Sequence, residues 1–170
     1  MANPDAMTIR LGLPGIKVLE VIEDEPGRLV LSVQAIAGSL TCPTRRHKTR
    51  SVHQVKKTPV RDLAVLGRQT TLIWHKRRFH CDRCKATTTE TNASFEEKMT
   101  LRLRRHLVAE VVDSTVTAVA RRHGLDWHQV MALVASHAGA VLLHRSRQHT
   151  KVLLVDEKSL VKGRGAFPRS

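Results

Sequence analysis

The chain has 170 residues, of which 41% are hydrophobic, so it can bury a core and wholesale disorder is excluded. Its 29 Lys and Arg residues outnumber its 15 Asp and Glu residues, which gives a formal net charge of +14. A balance this basic is typical of proteins that bind a polyanion, most often nucleic acid. Aromatic residues make up only 3% of the chain and Tyr is absent. This argues against a single-strand binder, because bases need rings on which to stack.

The cysteines are odd in number, three, and the region near Met1 lacks the basic segment and apolar run of a secretory leader. We therefore expect a cytoplasmic protein whose thiols are free or bind metal rather than form disulfides. The longest apolar run, residues 138–143, is too short to cross a bilayer. No membrane partner is expected.

A β-hairpin is predicted at the start of the chain. Two β-rich runs, residues 16–23 and 28–36, flank a turn that contains Pro26 and Gly27, a pair that signals a reversal of the chain. We interpret residues 1–40 as a hairpin domain that serves as a scaffold.

The next part of the chain, residues 41–95, is the most basic one. Residues 41–90 alone carry 13 of the Lys and Arg residues and only three acidic ones, and a polar linker follows at residues 91–98. All three cysteines lie here, near the ends of predicted strands. Strands that begin or end at cysteine-bearing turns are typical of a zinc ribbon, in which metal joins turns too small to hold each other by packing.

Two strands are predicted in this zinc-ribbon-like domain. Residues 50–57 are extended in character with Val52 and Val55 as apolar anchors, residues 58–63 interrupt them, and a second strand covers residues 69–79. The cations of these strands and turns are placed to hold DNA phosphates. They are Arg45, Arg46, Lys48, Arg50, Lys56, Lys57, Lys76, Arg77 and Arg78.

The cysteine spacing predicts a metal site with one irregular ligand. Cys81 and Cys84 have the spacing with which two thiolates hold one tetrahedral zinc ion, and Cys42 lies at the other candidate turn. A complete ribbon needs a fourth thiolate at position 45, where Arg45 stands, and His47 is the nearest substitute. Two interpretations stay open, a bound Zn²⁺ and a turn that keeps its shape without metal.

Helices are predicted after the linker. Thr100 caps a helix over residues 101–113, a second helix ends at Gly124, and a third runs to about residue 144. These helices form a domain over residues 98–147. The apolar face of the first helix is predicted to consist of Leu103, Leu107, Val108, Val111 and Val112.

Three arginines, Arg102, Arg104 and Arg105, fall in the first turns of that helix, where the helix dipole disfavours positive charge. A bound phosphate relieves this repulsion, and so do water and salt. Both interpretations stay open.

The second and third helices carry a helix–turn–helix pattern. Ala120 allows close helix approach, Gly124 takes the tight turn, Leu125 fills the angle, and Val130 and Leu133 pack the second helix of the motif back onto its first. The alternative is an ordinary helical hairpin in a core. If the motif binds DNA, Arg121 and Arg122 lie near phosphates, and the outward residues that face the major groove are Trp127, His128, Gln129, Ala132 and Ser136.

A buried-type strand over residues 151–155 ends in Asp156 and Glu157. By itself this pair is more typical of a solvated strand end than of a catalytic site. The sequence contains no glycine-rich phosphate loop, Ser-His-Asp order or His-Glu-x-x-His motif.

In the order of its parts the chain resembles transposases of the ISL3 insertion-sequence family. The match rests on an Arg-Arg-Phe-x-Cys strand end, a Val-Asp-Glu-Lys-Ser strand and several shorter pieces along nearly the whole chain. The matching residues are Cys42-Pro43, Val52-His53, Arg61-Asp62-Leu63, Gly67, Lys76 to Cys81, Cys84, Thr89-Glu90 and Val155 to Ser159.

The resemblance implies an α+β protein in which a β-hairpin, a zinc ribbon and a helix–turn–helix domain precede a ribonuclease-H-like catalytic domain. It implies a DDE enzyme that binds the terminal inverted repeats of its element and transfers DNA strands with Mg²⁺. Asp156 matches the first catalytic carboxylate, and residues 150–170 match the start of that domain. Because two-metal catalysis needs three carboxylates, we expect the chain as it stands to be catalytically incomplete.

Two other functions stay open beside DNA recognition for transposition. One is a truncated transposase that occupies the element's ends as a repressor. The other is a ribbon that serves protein contacts, including a homo-oligomer.

Overall fold

A computed structural model, which describes residues 4–144, shows a short N-terminal helix, then nine strands, then three further helices, and confirms the α+β class. The catalytic strand predicted over residues 151–155 lies outside the described residues. The elements are α1 (Pro4–Leu11), β1 (Ile16–Glu25), β2 (Arg28–Ala35), β3 (Leu40–Thr41), β4 (Lys48–Thr49), β5 (Val52–Val65), β6 (Arg68–His80), β7 (Thr87–Thr89), β8 (Phe95–Glu96), β9 (Met99–Thr100), α2 (Leu101–Val112), α3 (Val116–His123) and α4 (Trp127–His144).

The predicted N-terminal hairpin is confirmed and belongs to a larger sheet. Strands β1 and β2 pair antiparallel around Pro26 and Gly27, and β2 then runs parallel to β6 with Arg28 opposite Gln69. The order of the main sheet is β1-β2-β6-β5-β9-β8, with β7 paired to the other end of β6, while β3 and β4 form a small separate sheet. The hairpin and the long basic strands therefore share one sheet.

The long hairpin of β5 and β6 is the central feature of this sheet. Leu66 and Gly67 connect the strands with φ angles of 54° and 76°, as a two-residue turn of the I′ type requires. The predicted interruption at residues 58–63 is wrong, because β5 passes through Pro59 without a break. The N–H of Arg61 points away from β6 to the carbonyl of Lys98 at 2.8 Å. Pro59, two residues earlier, faces the same open side, so its missing N–H costs no ladder bond.

The main core lies between the sheet and α1, a helix that the sequence analysis did not predict. Leu11 of α1 packs with Leu31 and Leu72 of the sheet, all at 1% exposure or less, and the core continues to Trp74. The stretch predicted as a polar linker, residues 91–98, contributes β8, and Phe95 covers the Trp74 ring edge-on at 4.9 Å between centroids. The linker interpretation was therefore wrong for this part.

The predicted helices are confirmed. Thr100 caps α2 by accepting from the N–H of Leu103, and Thr115 caps α3 in the same way. Val112 is 81% exposed, so its predicted place on the apolar face is wrong. Nine residues at 100° each separate it from Leu103, and it therefore points to the opposite side of the helix. No helix among the described residues is long and apolar enough to cross a membrane.

Candidate metal centre and nucleic-acid interface

Two cysteine-bearing turns with the same backbone structure meet at one end of the long hairpin. The carbonyl of Cys42 accepts from the N–H four residues later at 2.8 Å, and the carbonyl of Cys81 does the same. The N–H groups of Cys42 and Cys81 each donate to the carbonyl five residues later, at 2.8 and 2.9 Å. The residues four places after the cysteines, Arg46 and Lys85, both have positive φ, 49° and 60°. The first turn thus keeps the shape of the second although it has one cysteine fewer.

The three thiols converge between these turns. The Sγ atoms of Cys42 and Cys84 are 3.5 Å apart, and the three sulfurs all lie within 4.8 Å of one another. Thiolates at about 2.3 Å from one tetrahedral zinc ion are about 3.8 Å apart, so the arrangement fits a zinc ion. Cys42 and Cys81 are buried and none of the three forms a disulfide.

The predicted fourth ligand, His47, does not join this group. Its side chain is exposed, and it is not among the ligand atoms that lie within 4.8 Å of one another. Its backbone carbonyl closes the turn by accepting from the N–H of Cys42 at 2.8 Å. The prediction that His47 is a ligand is therefore wrong, because its backbone and not its ring takes part in the turn.

Cys42 and Cys84 do not titrate alike. The backbone N–H of Arg45 outweighs the effect of burial and lowers the pKa of Cys42 to about 7, with help from the thiol of Cys84 and the N–H of Thr44. The pKa of Cys84 moves upwards. The amide of Ala86 favours its thiolate, but the hydrogen bond with Cys42, burial and the charge of Cys42 together raise the pKa. Cys42 therefore loses its proton at a lower pH than Cys84, and the charge of its thiolate favours the protonated form of Cys84.

Most of the predicted phosphate-binding cations are exposed. Arg45, Arg46, Lys48 and Arg50 surround the first cysteine turn, and Lys56 and Lys57 follow on β5. Lys76 is half-buried with its ammonium 5.0 Å from the centroid of the Trp74 ring. Arg78 is exposed and donates to the hydroxyl of Thr87 at 2.6 Å. The cysteine end of the hairpin is therefore a cationic surface.

Arg77 is a correction to this set. It is only 8% exposed, and its guanidinium donates to the buried carboxylate of Glu90 at 2.8 and 3.0 Å and to the carbonyl of Ala37 at 2.6 Å. Its donors are thus used inside the protein. The prediction that Arg77 contacts DNA is wrong, because burial turns its charge inwards.

The helix–turn–helix at the other end of the hairpin has the predicted geometry. Gly124 adopts a left-handed conformation with φ of 58°, and its turn is closed by the N–H of Leu125, which donates to Ala120 at 2.8 Å. Val130 and Leu133 are buried against α2 and α3. The alternative of a plain helical hairpin is set aside, since each residue type occupies the position that this motif needs.

The predicted base-reading residues all lie on the exposed side of α4. They are Trp127, His128, Gln129, Ala132 and Ser136. The Nε2 and Oε1 atoms of Gln129 are not equally available, because Oε1 accepts from the N–H of Asp126 at 3.1 Å. Asp126 in turn accepts from the N–H of His128 at 2.8 Å. This reciprocal capping box at the start of α4 is a role of Gln129 that the sequence analysis missed.

The two predicted phosphate-binding arginines of α3 differ. Arg121 is exposed, whereas Arg122 forms an ion pair with Glu110 of α2. The same carboxylate contacts the ring of His123 at 2.5 Å. Two of the three arginines at the start of α2 also have protein partners, since Arg102 pairs with Asp62 and Arg104 with two glutamates. Arg105 is exposed. Phosphate is therefore not needed to neutralise Arg102 and Arg104.

The contacts that hold the helices to the sheet, here called the joint, were not predicted from the sequence. Arg61 on β5 donates to the carbonyl of His123, the last residue of α3, at 2.7 Å. The buried carboxylate of Asp62 accepts from the hydroxyl of Thr100 at 2.6 Å and from Nε of Arg102 at 2.7 Å. Arg61 and Asp62 belong to one of the sequence motifs that match the ISL3 transposases. That match was the feature of the sequence that pointed to a role for them.

This construction defines a class of DNA-binding protein, with a zinc-ribbon-type pair of cysteine turns and a helix–turn–helix mounted on one β-hairpin. Residues 98–138 match the helix–turn–helix domain of transposase family ISL3, and residues 39–84 match the zinc-finger of transposases IS204/IS1001/IS1096/IS1165. The chain belongs to the ISL3 family of transposases.

A curated relative agrees with this assignment. The chain is 30% identical over 152 residues to the transposase for insertion sequence element IS1001 of Bordetella parapertussis, and the alignment covers 88% of this chain. It spans 37% of the relative's length. No solved structure matches the chain. Asp156, the candidate first carboxylate, lies outside the described residues.

Proposed function

We propose that this chain recognises the terminal inverted repeats of an insertion sequence as double-stranded DNA, as the first step of DNA transposition. The observation that supports this most is the placement of a cationic cysteine end and a helix–turn–helix at two ends of the β5–β6 hairpin. Arg61 and Asp62 fix the helices to that hairpin. The two binding elements therefore approach DNA as one unit.

The length of the hairpin suits this task. Val52 lies at the cysteine end and Arg61 at the helical end, nine residues apart along β5. At about 3.3 Å per residue they are separated by about 30 Å. One turn of B-DNA rises about 34 Å. We infer that the two elements contact neighbouring turns of one duplex.

The cysteine end and α4 offer different kinds of contact to DNA. The exposed cations around Cys42 suit phosphate oxygens, which supply affinity without sequence information. The exposed side of α4 offers amide, hydroxyl and ring groups to base edges, and an amide such as that of Gln129 matches adenine. Recognition of sequence is thus assigned to α4 and most of the charge attraction to the cysteine end.

We infer that Cys42, Cys81 and Cys84 hold a structural Zn²⁺ ion. Zinc would supply bonds between two small turns whose cysteines lie outside both apolar core clusters, and the nearby Val52 and Val55 are 44% and 48% exposed. These valines are not the apolar anchors predicted from the sequence. The free thiols this requires agree with a reducing compartment, and we place the protein in the cytoplasm.

We assign DNA recognition to residues 4–144 and catalysis to the remainder of the family's architecture. Strand transfer in this family would use Mg²⁺ held by several carboxylates, of which Asp156 is the first by resemblance. Nothing in the recognition step depends on that residue.

Footprinting on duplex DNA that carries the element's terminal repeat tests the proposal. We expect two protected patches about one helical turn apart, and none at the same concentration on a shuffled sequence. Lys48→Gln should weaken the patch made by the cysteine end, whereas Lys17→Gln, which removes another exposed lysine from β1, should leave both patches intact. Equal protection of repeat and shuffled DNA would refute recognition of the repeats.

A further inference from the structure

We propose that the zinc site is a three-thiolate site whose fourth coordination position is open and takes a small exogenous thiol. This rests on the zinc binding proposed above. A closed zinc ribbon has four protein ligands, and this chain has Arg45 where the fourth ligand would stand.

The backbone identifies the open position. Cys84 is the third residue after Cys81, and Arg45 is the third residue after Cys42. Because the two turns have the same pair of hydrogen bonds and the same positive φ at the next residue, position 45 corresponds to that of a ligand. Arginine has no lone pair to offer a metal ion, and the Arg45 side chain is exposed.

No other side chain takes the position within residues 4–144. The ligand atoms that approach one another there are the three sulfurs alone, and a second group, formed by His106, Glu110 and His123, belongs to the helical domain. His47 is exposed and its carbonyl is bound to the N–H of Cys42 at 2.8 Å. His47 thus contributes a backbone carbonyl to the turn, and its ring is not in the thiol cluster.

The chemistry of such a site favours a thiol. Zinc with three protein ligands completes its tetrahedron with water or a substrate, and a thiolate-rich site prefers soft ligands. On a bound ion, the incoming thiol would give its proton to solvent and its sulfur would take the place of a water ligand, with no change in oxidation state. Arg45 and Arg46 are exposed beside the site, so a thiol that also carries a carboxylate should bind more tightly than a neutral one.

Cobalt substitution provides the test, because Co²⁺ reports its ligands by absorption. The chain is reduced with a phosphine, loaded with one equivalent of Co²⁺ and titrated with 3-mercaptopropionate or 2-mercaptoethanol. We expect sulfur-to-cobalt absorption to rise by about a third as three thiolates become four, with the anionic thiol acting at the lower concentration. His47→Ala should behave like the unaltered chain.

Arg45→Cys is the matched control. It should show the four-thiolate spectrum from the start and no response to either thiol. The inference is overturned if the unaltered chain binds Co²⁺ but ignores both thiols, or if His47→Ala alone changes its spectrum. If neither the unaltered chain nor Arg45→Cys takes up Co²⁺, the zinc proposal itself falls, and this inference with it.

Discussion

Arg77 and Glu90 form a buried ion pair that joins β6 to the segment after β7. The guanidinium donates to the carboxylate at 2.8 and 3.0 Å, and the backbone N–H of Arg77 donates to the other carboxylate oxygen at 2.7 Å. Glu90 returns a backbone bond to the carbonyl of Arg77 at 2.9 Å. An arginine in the most basic stretch of the chain thus stabilises the fold.

Arg77→Ala should therefore destabilise the protein rather than remove a DNA contact. It leaves the Glu90 carboxylate buried without its partner, which costs about 3–5 kcal/mol in the free energy of unfolding measured by urea denaturation. Arg78→Ala, at the exposed neighbouring position, should change stability by no more than about 0.5 kcal/mol. Wild-type stability combined with lost DNA affinity in Arg77→Ala would return Arg77 to the interface.

Asp62→Asn should loosen the joint between the sheet and the helices. The amide keeps an oxygen but loses the charge that holds Thr100 and Arg102, and we expect a loss of about 1–3 kcal/mol in thermal denaturation. The estimate stays below that of a fully buried pair because 31% of the Arg102 side chain is exposed. Glu97→Gln, at an exposed carboxylate, is the control. A melting temperature unchanged by Asp62→Asn would show that Asp62 does not hold the helices to the sheet.

Gln129 has two roles that substitution can separate. Glutamate preserves the capping box with Asp126 but cannot donate to adenine. Gln129→Glu should therefore keep the thermal stability and lose about 1–3 kcal/mol of binding free energy at one base pair. Gln129→Ala should lose both stability and that base contact. If Gln129→Glu binds the repeat and its single-base variants as the unaltered chain does, Gln129 does not read a base.

Cys42 should titrate before Cys84 in the metal-free protein. Its pKa is lowered to about 7 by backbone N–H donors, so the thiolate is present above pH 7 and is protonated below it. Ultraviolet thiolate absorbance should rise in a first step near pH 7, and Cys42→Ser should abolish this step. A titration with no step below pH 8 would show that the turn does not stabilise the thiolate.

Features set by neighbouring residues could be predicted from the sequence. The caps at Thr100 and Thr115 and the left-handed Gly124 depend on residues within one turn of the chain, and the helix–turn–helix followed from them. The hairpin of β1 and β2 was predictable for the same reason, from its Pro-Gly turn.

Features set by distant partners could not be predicted in this way. Pro59 looked like a strand break because nothing in the local sequence shows that this side of β5 is open there, since β9 pairs with β5 only at Arg61. Arg77 looked like a phosphate ligand because its charge gives no sign of Glu90 and of the carbonyls that enclose it. His47 has ligand spacing, but the turn uses its carbonyl. In each case three-dimensional proximity decided the role.

The central claim, that the cationic cysteine end and α4 together bind duplex DNA, is tested most directly by the salt dependence of affinity. For terminal-repeat DNA the logarithm of the binding constant should fall linearly with the logarithm of salt concentration, by about 0.9 for each phosphate contact. The triple variant Arg45→Gln, Arg46→Gln, Lys48→Gln should make this slope shallower by about 2–3 and keep the preference for the repeat. A flat salt dependence, or a slope that the triple variant leaves unchanged, would contradict the account.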